Sequence, residues 1–394
     1  DPDTGLHARF KDFISCFDKI LHTAIQEEVD FLLICGDVYH TPGPSPTHQR
    51  EFARSIRKIL EKDIPVIIII GNHDNPVAFG KANPMDIFTE LNIKNIHVMS
   101  KPDILTLDLK EKGKIQICCF PWPTKSRLID KEDYKHLNSQ EMDEKLQKIC
   151  NDTIEHFAGM VSPEYPAIFA GHLAMADATY SGSERTTLLG RDPVILTGTL
   201  ARKEFDYVAL GHIHKYQNVN QHSSPPVIYS GSIERIDFNE EHEEKGFILA
   251  ELEGKELKYR FVKTPSRAMV TVEVDVREML DPSWEIIEEI NRRDINNAIV
   301  RIIYLTHYCY NEPLRLKDIK DTLEGAFWVH GIIRKADEKE VTERAVISEN
   351  LTFMEALDKY IEQENLSDYS EDIKVHARLL EKHLLEEFDN KRII

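Results

Sequence analysis

The chain has 394 residues, 41% hydrophobic and 30% charged, with a formal net charge of −19. That length supports a full core and two or three domains, and the composition excludes a disordered chain. No apolar run approaches the ~20 residues a membrane helix needs, and the acidic total argues against nucleic-acid binding by bulk charge. Such binding would need a local basic patch, or an active-site metal and a partner that offset the field.

Residues Asp1 to His7 are turn-like and lead into a predicted helix over Arg9–Glu28, with Phe10, Phe13, Ile14, Phe17, Leu21 and Ile25 on its apolar face. A β-α-β order wants a strand ahead of this helix, so one is expected before Asp1. The strand Phe31–Cys35 ends in Gly36-Asp37-Val38-Tyr39-His40, and a Pro-rich loop, Thr41 to Pro46, precedes a helix over Thr47–Lys62. Next comes Val66-Ile67-Ile68-Ile69-Ile70, five β-branched residues that fit a strand buried on both faces. It ends in Gly71-Asn72-His73-Asp74, and a short helix is expected near Asn83–Glu90. This alternation implies a largely parallel sheet.

From about residue 95 the texture changes to hairpins, Ile104–Leu109 with Lys114–Phe120, the second stopped by Pro121-Trp122-Pro123 because proline cannot stay in a ladder. A polar helix over Asn138–Phe157 reads as a solvated face. Two more apolar strands follow, Ala167–Ala170 ending in Gly171-His172 and Tyr207–Leu210 ending in Gly211-His212-Ile213-His214. Val227–Tyr229 runs into Ser230-Gly231-Ser232, and Phe247–Leu252 pairs with Leu257–Val262 around Glu253-Gly254. Residues 1–264 thus read as one α/β domain. Thr264-Pro265-Ser266 reads as a linker to a strand–helix–strand–helix–strand unit over 265–336, where His307 and His330 are read as surface or packing residues. From Glu338 onward, 15 acidic residues stand against 8 basic ones. Thr352 to Glu355 resembles a capping box, opening a helix with apolar Phe353, Ala356, Leu357, Tyr360 and Ile361; a second helix is expected over Ile373–Phe388. The six cysteines have no Cys-x-x-Cys spacing and are expected to be buried, reduced thiols of a cytoplasmic protein.

Four apolar strands therefore end in glycine followed by Asp, Asn or His. Open α/β sheets place their sites at such carboxyl ends. One carboxylate (Asp37), one amide oxygen (Asn72) and three histidines (His172, His212, His214) describe a two-metal site with mixed nitrogen and oxygen ligands. That donor set suits Mn²⁺, Fe²⁺ or Zn²⁺ over Mg²⁺ or Ca²⁺. A bridging carboxylate holds two cations ~3.5–4 Å apart, the machinery for in-line displacement at a phosphate ester. His73, next to the ligand Asn72, would face the phosphate as general acid or charge stabiliser, with Asp74 on its other nitrogen setting the tautomer.

These residues carry a resemblance. Gly36-Asp37, Gly71-Asn72-His73-Asp74, Gly171-His172 and Gly211-His212-Ile213-His214 resemble, in order and rough spacing, the motifs of the calcineurin-like metallophosphoesterase superfamily. Gly36 to His40 with Pro44-Ser45-Pro46, Ser230 to Phe238, and Glu243 to Phe247 look like its SbcD-type double-strand-break-repair nucleases. The fold implied is a two-sheet β-sandwich flanked by helices (α/β), with a small α+β capping domain over 265–336 and C-terminal helices over 337–394.

The resemblance implies that Asp37 bridges two divalent metals, Mn²⁺ above all, that Asn72, His172 and His212 complete one, and that His214 binds the other. His73 matches the catalytic histidine and His40 a second histidine on the phosphate. The family's first motif, Asp-x-His on the opening strand, is absent from this sequence, and residues ahead of Asp1 are expected to supply it. The implied activity is 3′→5′ exonuclease and single-strand endonuclease on DNA. The implied assembly is a homodimer with an SbcC-type coiled-coil ATPase, ABC/SMC-like, docked on the C-terminal helices, in the cytoplasm at the nucleoid. Arg185, after Ser181-Gly182-Ser183, and Arg235, after Ser230-Gly231-Ser232, are expected to hold DNA phosphates. Other readings with the same metal core are a phosphomonoesterase or cyclic-nucleotide phosphodiesterase, or a scaffold subunit that has lost metal.

Overall fold

The central strand and its neighbours set the layering. In the computed structural model, which describes residues 5–76, 81–125, 137–181, 193–308, 313–337, 353–363, 370–371, 373–378 and 380, β1 (Leu32–Ile34), β2 (Val66–Ile69) and β3 (Ile96–Met99) form a parallel sheet with β2 in the middle. Residues Val66 to Ile70 are at most 1% exposed, as five β-branched residues in a doubly covered strand should be. Their alternation sorts them between two cores. Val66, Ile68 and Ile70 pack with Leu21, Ile56 and Ile59 of the helices α1 (Ala8–Gln26) and α2 (Pro46–Leu60), together with Met85 and with Phe88 of α3 (Asp86–Glu90). Ile67 and Ile69 face the other way, toward Ile117, Cys119, Ile168, Ala170 and Ala209 of a second sheet.

That second sheet has six strands, β4 (Asp103–Asp108), β5 (Lys114–Phe120), β6 (Ala167–His172), β9 (Tyr207–Gly211), β10 (Gln217–Asn218) and β11 (Val227–Tyr229), in the order β10-β11-β9-β6-β5-β4. The four central strands run parallel and the two edges antiparallel to their neighbours. A ribbon of β7 (Ala174–Met175) and β8 (Val194–Ile195) lies between in sequence. The helix α4 (Ser139–Met160) covers the outer face. Asn138 and Glu141 close a reciprocal capping box at its start, and Cys150, Ile154 and Phe157 pack with Cys118, Phe120 and Phe169. Only one side of this helix is the solvated face the sequence suggested. The core is therefore two facing sheets with helices outside, the two-sheet sandwich expected.

Beyond the short helix α5 (Thr197–Leu200), β12 (Gly246–Glu253) and β13 (Glu256–Lys263) make the expected hairpin. A third sheet has the order β14 (Met269–Asp275), β15 (Ile299–Thr306), β16 (Trp328–Ala336), alternating with α6 (Pro282–Asn291) and α7 (Leu316–Thr322). The helix α8 (Phe353–Gln363) follows. By compactness the chain divides into one unit of Asp1–Val274, Leu280–Ile303 and Leu314–Ile333, and another of Asp275–Met279, Tyr304–Pro313 and Arg334–Ile394. Thr352, and residues 381–388 of the last expected helix, lie outside the described residues. Five of the six cysteines are described, all as free thiols. Among the described residues no helix is long and apolar enough to cross a membrane.

Candidate metal centre

The carboxyl ends of β1, β2, β6 and β9 meet, and the repeated glycine explains how. A Cβ on Gly36 would strike the His172 ring, one on Gly71 the Asp37 carboxylate, and one on Gly211 the Cys35 carbonyl. Neighbouring chain ends approach closer than any side chain allows. Gly36 also sits at φ +93°. Two of the expected ligands, Asp37 (φ +54°) and His212 (φ +94°), occupy the left-handed region without being glycine, a strain of about 1–3 kcal/mol each that clusters at functional sites.

β6 continues through Gly171 to His172, paired with Phe120 and Gly211 on either side, so this histidine stands on a central strand and is fully buried. Its Nδ1–H donates to the Cys35 carbonyl at 2.7 Å. Nε2 then faces Asn72 Oδ1 at 2.8 Å and Asp37 Oδ2 at 3.2 Å. Three acceptors converge there, and such a cluster is satisfied by a cation, either a proton on Nε2 or a metal ion. His212 lies alongside, Nδ1 3.3 Å from the same Asn72 oxygen, and its buried Nε2 has no hydrogen-bond partner. One ligand atom each of Asp37, His172 and His212 lies within 4.8 Å of the others.

The electrostatics suit metal ligands. Burial alone would raise Asp37, but His172 and His73 beside it hold it down to about 2, an ionised carboxylate. His212 is driven down to about 3 by burial and by the neighbouring His172, which leaves the neutral imidazole that metals bind. An orphaned buried nitrogen, an ionised carboxylate and a cluster of acceptors fit a divalent cation. Trp122 walls the pair, its ring 4.8 Å from His212 and 5.8 Å from His172. It is fixed where the sheets meet, because its main-chain N–H donates to the Ile70 carbonyl at 2.8 Å. The sequence showed Trp122 only as part of a strand-stopping Pro-Trp-Pro.

His214 is held differently. Its Nδ1 lies 2.7 Å from Glu240 Oε1, and Glu240 in turn pairs with Lys245 at 2.9 Å, both side chains without solvent exposure. Burial pushes Glu240 up, but the bonds from His214 and Lys245 outweigh it and hold the carboxyl below its usual range. Neither Glu240 nor Lys245 stands out in the run Glu240-Glu241-His242-Glu243-Glu244-Lys245, which reads as a solvated charged turn.

His73 is exposed at the rim. Its main-chain N–H donates to Asp37 Oδ1 at 2.9 Å, and its Nδ1–H to the His40 carbonyl at 3.0 Å. The His40 and His73 rings lie nearly parallel, 5.5 Å apart. The structure corrects the expected role of Asp74. It does not hold the His73 ring; it is fully buried, and its carboxylate accepts the amides of Tyr39 (3.0 Å), Gly71 (3.1 Å) and Val38 (3.3 Å). Asp74 ties the loop carrying Asp37 to the loop carrying Asn72, and the His40 carbonyl sets the His73 tautomer.

Arg235 is engaged inside the fold. Its guanidinium donates to Ser266 Oγ (3.0 Å), the Arg267 carbonyl (3.1 Å) and the Glu243 carbonyl (2.7 Å). These bonds brace the segment read as a linker, where Thr264 also donates to the Ile233 carbonyl at 2.6 Å. Arg185 lies outside the described residues.

Residues 5–216 match the family model for calcineurin-like phosphoesterases. The chain belongs to that family, and its fold and its Asp–Asn–His cluster are those of a metallophosphoesterase. Among curated proteins it is similar to the SbcD subunit of the nuclease SbcCD from Staphylococcus epidermidis, 26% identical over 301 residues, covering 75% of this chain and 73% of that protein. It is also similar to the protein of the same name from Staphylococcus saprophyticus, 23% identical over 272 residues and covering 68% of each chain. The one from Bacillus subtilis is 25% identical over 240 residues, 57% of this chain and 58% of that protein. A solved dimetal phosphatase from Danio rerio aligns at 9% identity with a TM-score of 0.36, covering 64% of this chain and 87% of that one.

Proposed function

We propose that this protein is a two-metal DNA nuclease, the SbcD-type subunit of a complex that repairs double-strand breaks. The observation that carries the metal site is the buried, unpartnered Nε2 of His212 beside the converging acceptors of Asp37, Asn72 and His172. Those four residues would hold one divalent ion. The second would take Asp37 and His214 with the Asp-x-His pair expected ahead of Asp1. When bound, such ions, Mn²⁺ in this reading, supply Lewis-acid stabilisation of a phosphate and acidify water.

The chain's own groups do the rest. With Nδ1–H committed to the His40 carbonyl, His73 offers Nε2 to the substrate. As imidazolium it donates a proton there toward the departing oxygen or a phosphate oxygen. His40, stacked beside it, places a second imidazole on the same phosphate. Trp122 keeps water from the inner side of His172 and His212. The similarity to SbcD-named nucleases supports DNA as substrate, 3′→5′ exonuclease and single-strand endonuclease activity, and a homodimer joined to an SbcC-type coiled-coil ATPase at the nucleoid in the cytoplasm. Such a partner would also offset the acidic total in reaching DNA. Arg185 and Arg235 remain the proposed phosphate contacts, Arg235 through donors beyond the three already engaged.

The test is cleavage of single- and double-stranded DNA, a bis-nitrophenyl phosphodiester and a nitrophenyl monoester, with Mn²⁺ and after chelation. DNA and the small diester should be cut only with metal, and the monoester should be poor. A monoester preferred over DNA would make the protein a phosphomonoesterase instead.

A further inference from the structure

Glu240 and Lys245 form an ion pair with neither side chain exposed, 2.9 Å apart. Such a pair is weak evidence for stability, because desolvating two charges offsets most of their attraction and apolar replacements often serve as well. Its connections indicate another use. Glu240 Oε1 accepts from His214 Nδ1 at 2.7 Å, and Oε2 also accepts the Ile236 amide at 2.9 Å. Lys245 directs its remaining hydrogens to Glu243 Oε2 at 2.8 Å and to the carbonyl of His214 itself at 3.0 Å. The Ser232 amide reaches that carbonyl at 2.9 Å. Gly231, at φ +79°, makes the approach possible, since a Cβ there would lie 2.7 Å from the same oxygen. His214 is therefore held by its ring and by its main chain, and Lys245 links the two holds.

We propose that Glu240, set in place by Lys245, is a positioning residue that fixes His214 in its Nδ1–H tautomer and presents Nε2 as a metal ligand. This rests on the assignment of His214 as a ligand made above. An ionised carboxylate behind a ligating imidazole fixes the ring orientation and makes the other nitrogen more basic. Glutamine at this position fills the same volume. Its amide cannot accept from His214 on one side and from Lys245 and Ile236 on the other, so one side meets a donor with a donor.

The test is calorimetric titration of Mn²⁺ into metal-free full-length protein, wild type and His214→Ala, Glu240→Gln and Lys245→Met. His214→Ala should remove one binding step. Glu240→Gln should weaken that same step ~10–100-fold, the range for losing the group behind a ligating histidine, and leave the other step unchanged. Lys245→Met should act in the same direction. Nitrogen NMR of selectively labelled histidines in the metal-free protein reads the tautomer directly: Nδ1–H for His214 in wild type, a mixture in Glu240→Gln. If His214→Ala leaves both steps intact, the ligand assignment itself is wrong. If it removes one step while Glu240→Gln alters neither that step nor the tautomer, the ligand stands and the positioning role is overturned. A fall in melting temperature with both metal steps equally affected also overturns it. Should Glu240→Gln fail to fold, Lys245→Met and the wild-type tautomer decide, and an Nε2–H His214 rejects the proposal.

Discussion

At His73 the main chain and the side chain contribute separately. The amide holds Asp37 Oδ1, a bond that any residue at this position can make. The ring bonds only the His40 carbonyl among the contacts seen and stands exposed at the rim. His73→Ala should therefore leave Mn²⁺ affinity close to wild type while lowering turnover by ~10²–10⁴-fold, the contribution of an acid–base group. Parallel calorimetry and DNA cleavage check this, and metal loss accompanying the loss of activity would move His73 into the ligand shell. Asp74 supplies the contrast. Its three backbone amides belong to two ligand loops, so it shapes the centre without touching substrate.

Among the elements, α1 is clamped to distant segments of the chain by charge. Asp12 on α1 accepts from Arg267 Nε at 2.7 Å and from Arg9 at 3.1 Å. Arg267 also donates to the Asn297 carbonyl at 2.8 Å and stacks 3.6 Å from the Phe327 ring centre. Buried Glu234 accepts the Arg267 and Arg235 amides and pairs with Arg9 at 3.3 Å. Burial pushes the Asp12 carboxyl up, but the bonds from Arg267 and Arg9 outweigh it and hold it below the usual carboxylate value. A carboxyl depressed in the folded state adds stability above its unfolded pKa and loses it as pH falls through the folded one. Asp12→Asn should therefore lower the melting temperature at neutral pH, and the gap should close in the acid range below pH ~4. Thermal melts across pH read it directly; a gap that widens in acid would show the clamp working through packing instead.

For the whole molecule, the acidic C-terminal segment is where a partner is expected. On α8, Tyr360 is 54% exposed whereas Ile361 is 4% exposed, so the apolar stripe expected from the sequence is divided between inward and outward faces. Lys374 pairs with Asp358 at 2.6 Å, which joins the two helical pieces. Truncation before Ser348 should abolish binding to an SbcC-type ATPase while sparing metal-dependent cleavage of short DNA. A truncated protein that still captures the ATPase at wild-type strength would move the docking surface elsewhere.

The strands, their order of types and the ligand-bearing turns could be read from local sequence, because each depends on neighbours a few residues apart. Five β-branched residues make β2, and glycine before Asp37, Asn72, His172 and His212 permits the sharp, close-packed turns that carry them. Sheet order could not be read this way. It brings His172 to the Cys35 carbonyl across 137 residues and to Asn72 across 100, and so decides tautomers, spacing and burial. The same holds for the groups that sequence reading passed over or misassigned. Trp122 looked like a strand stop, Asp74 like a partner of its neighbour, and Arg235 like a surface cation. Glu240 and Lys245 sit in a run whose charges, taken alone, belong in water. The identity of a charged residue does not reveal whether its counter-charge lies in solvent or in a core; only the packing of β9, β11 and the loop before β12 puts His214 against that buried pair.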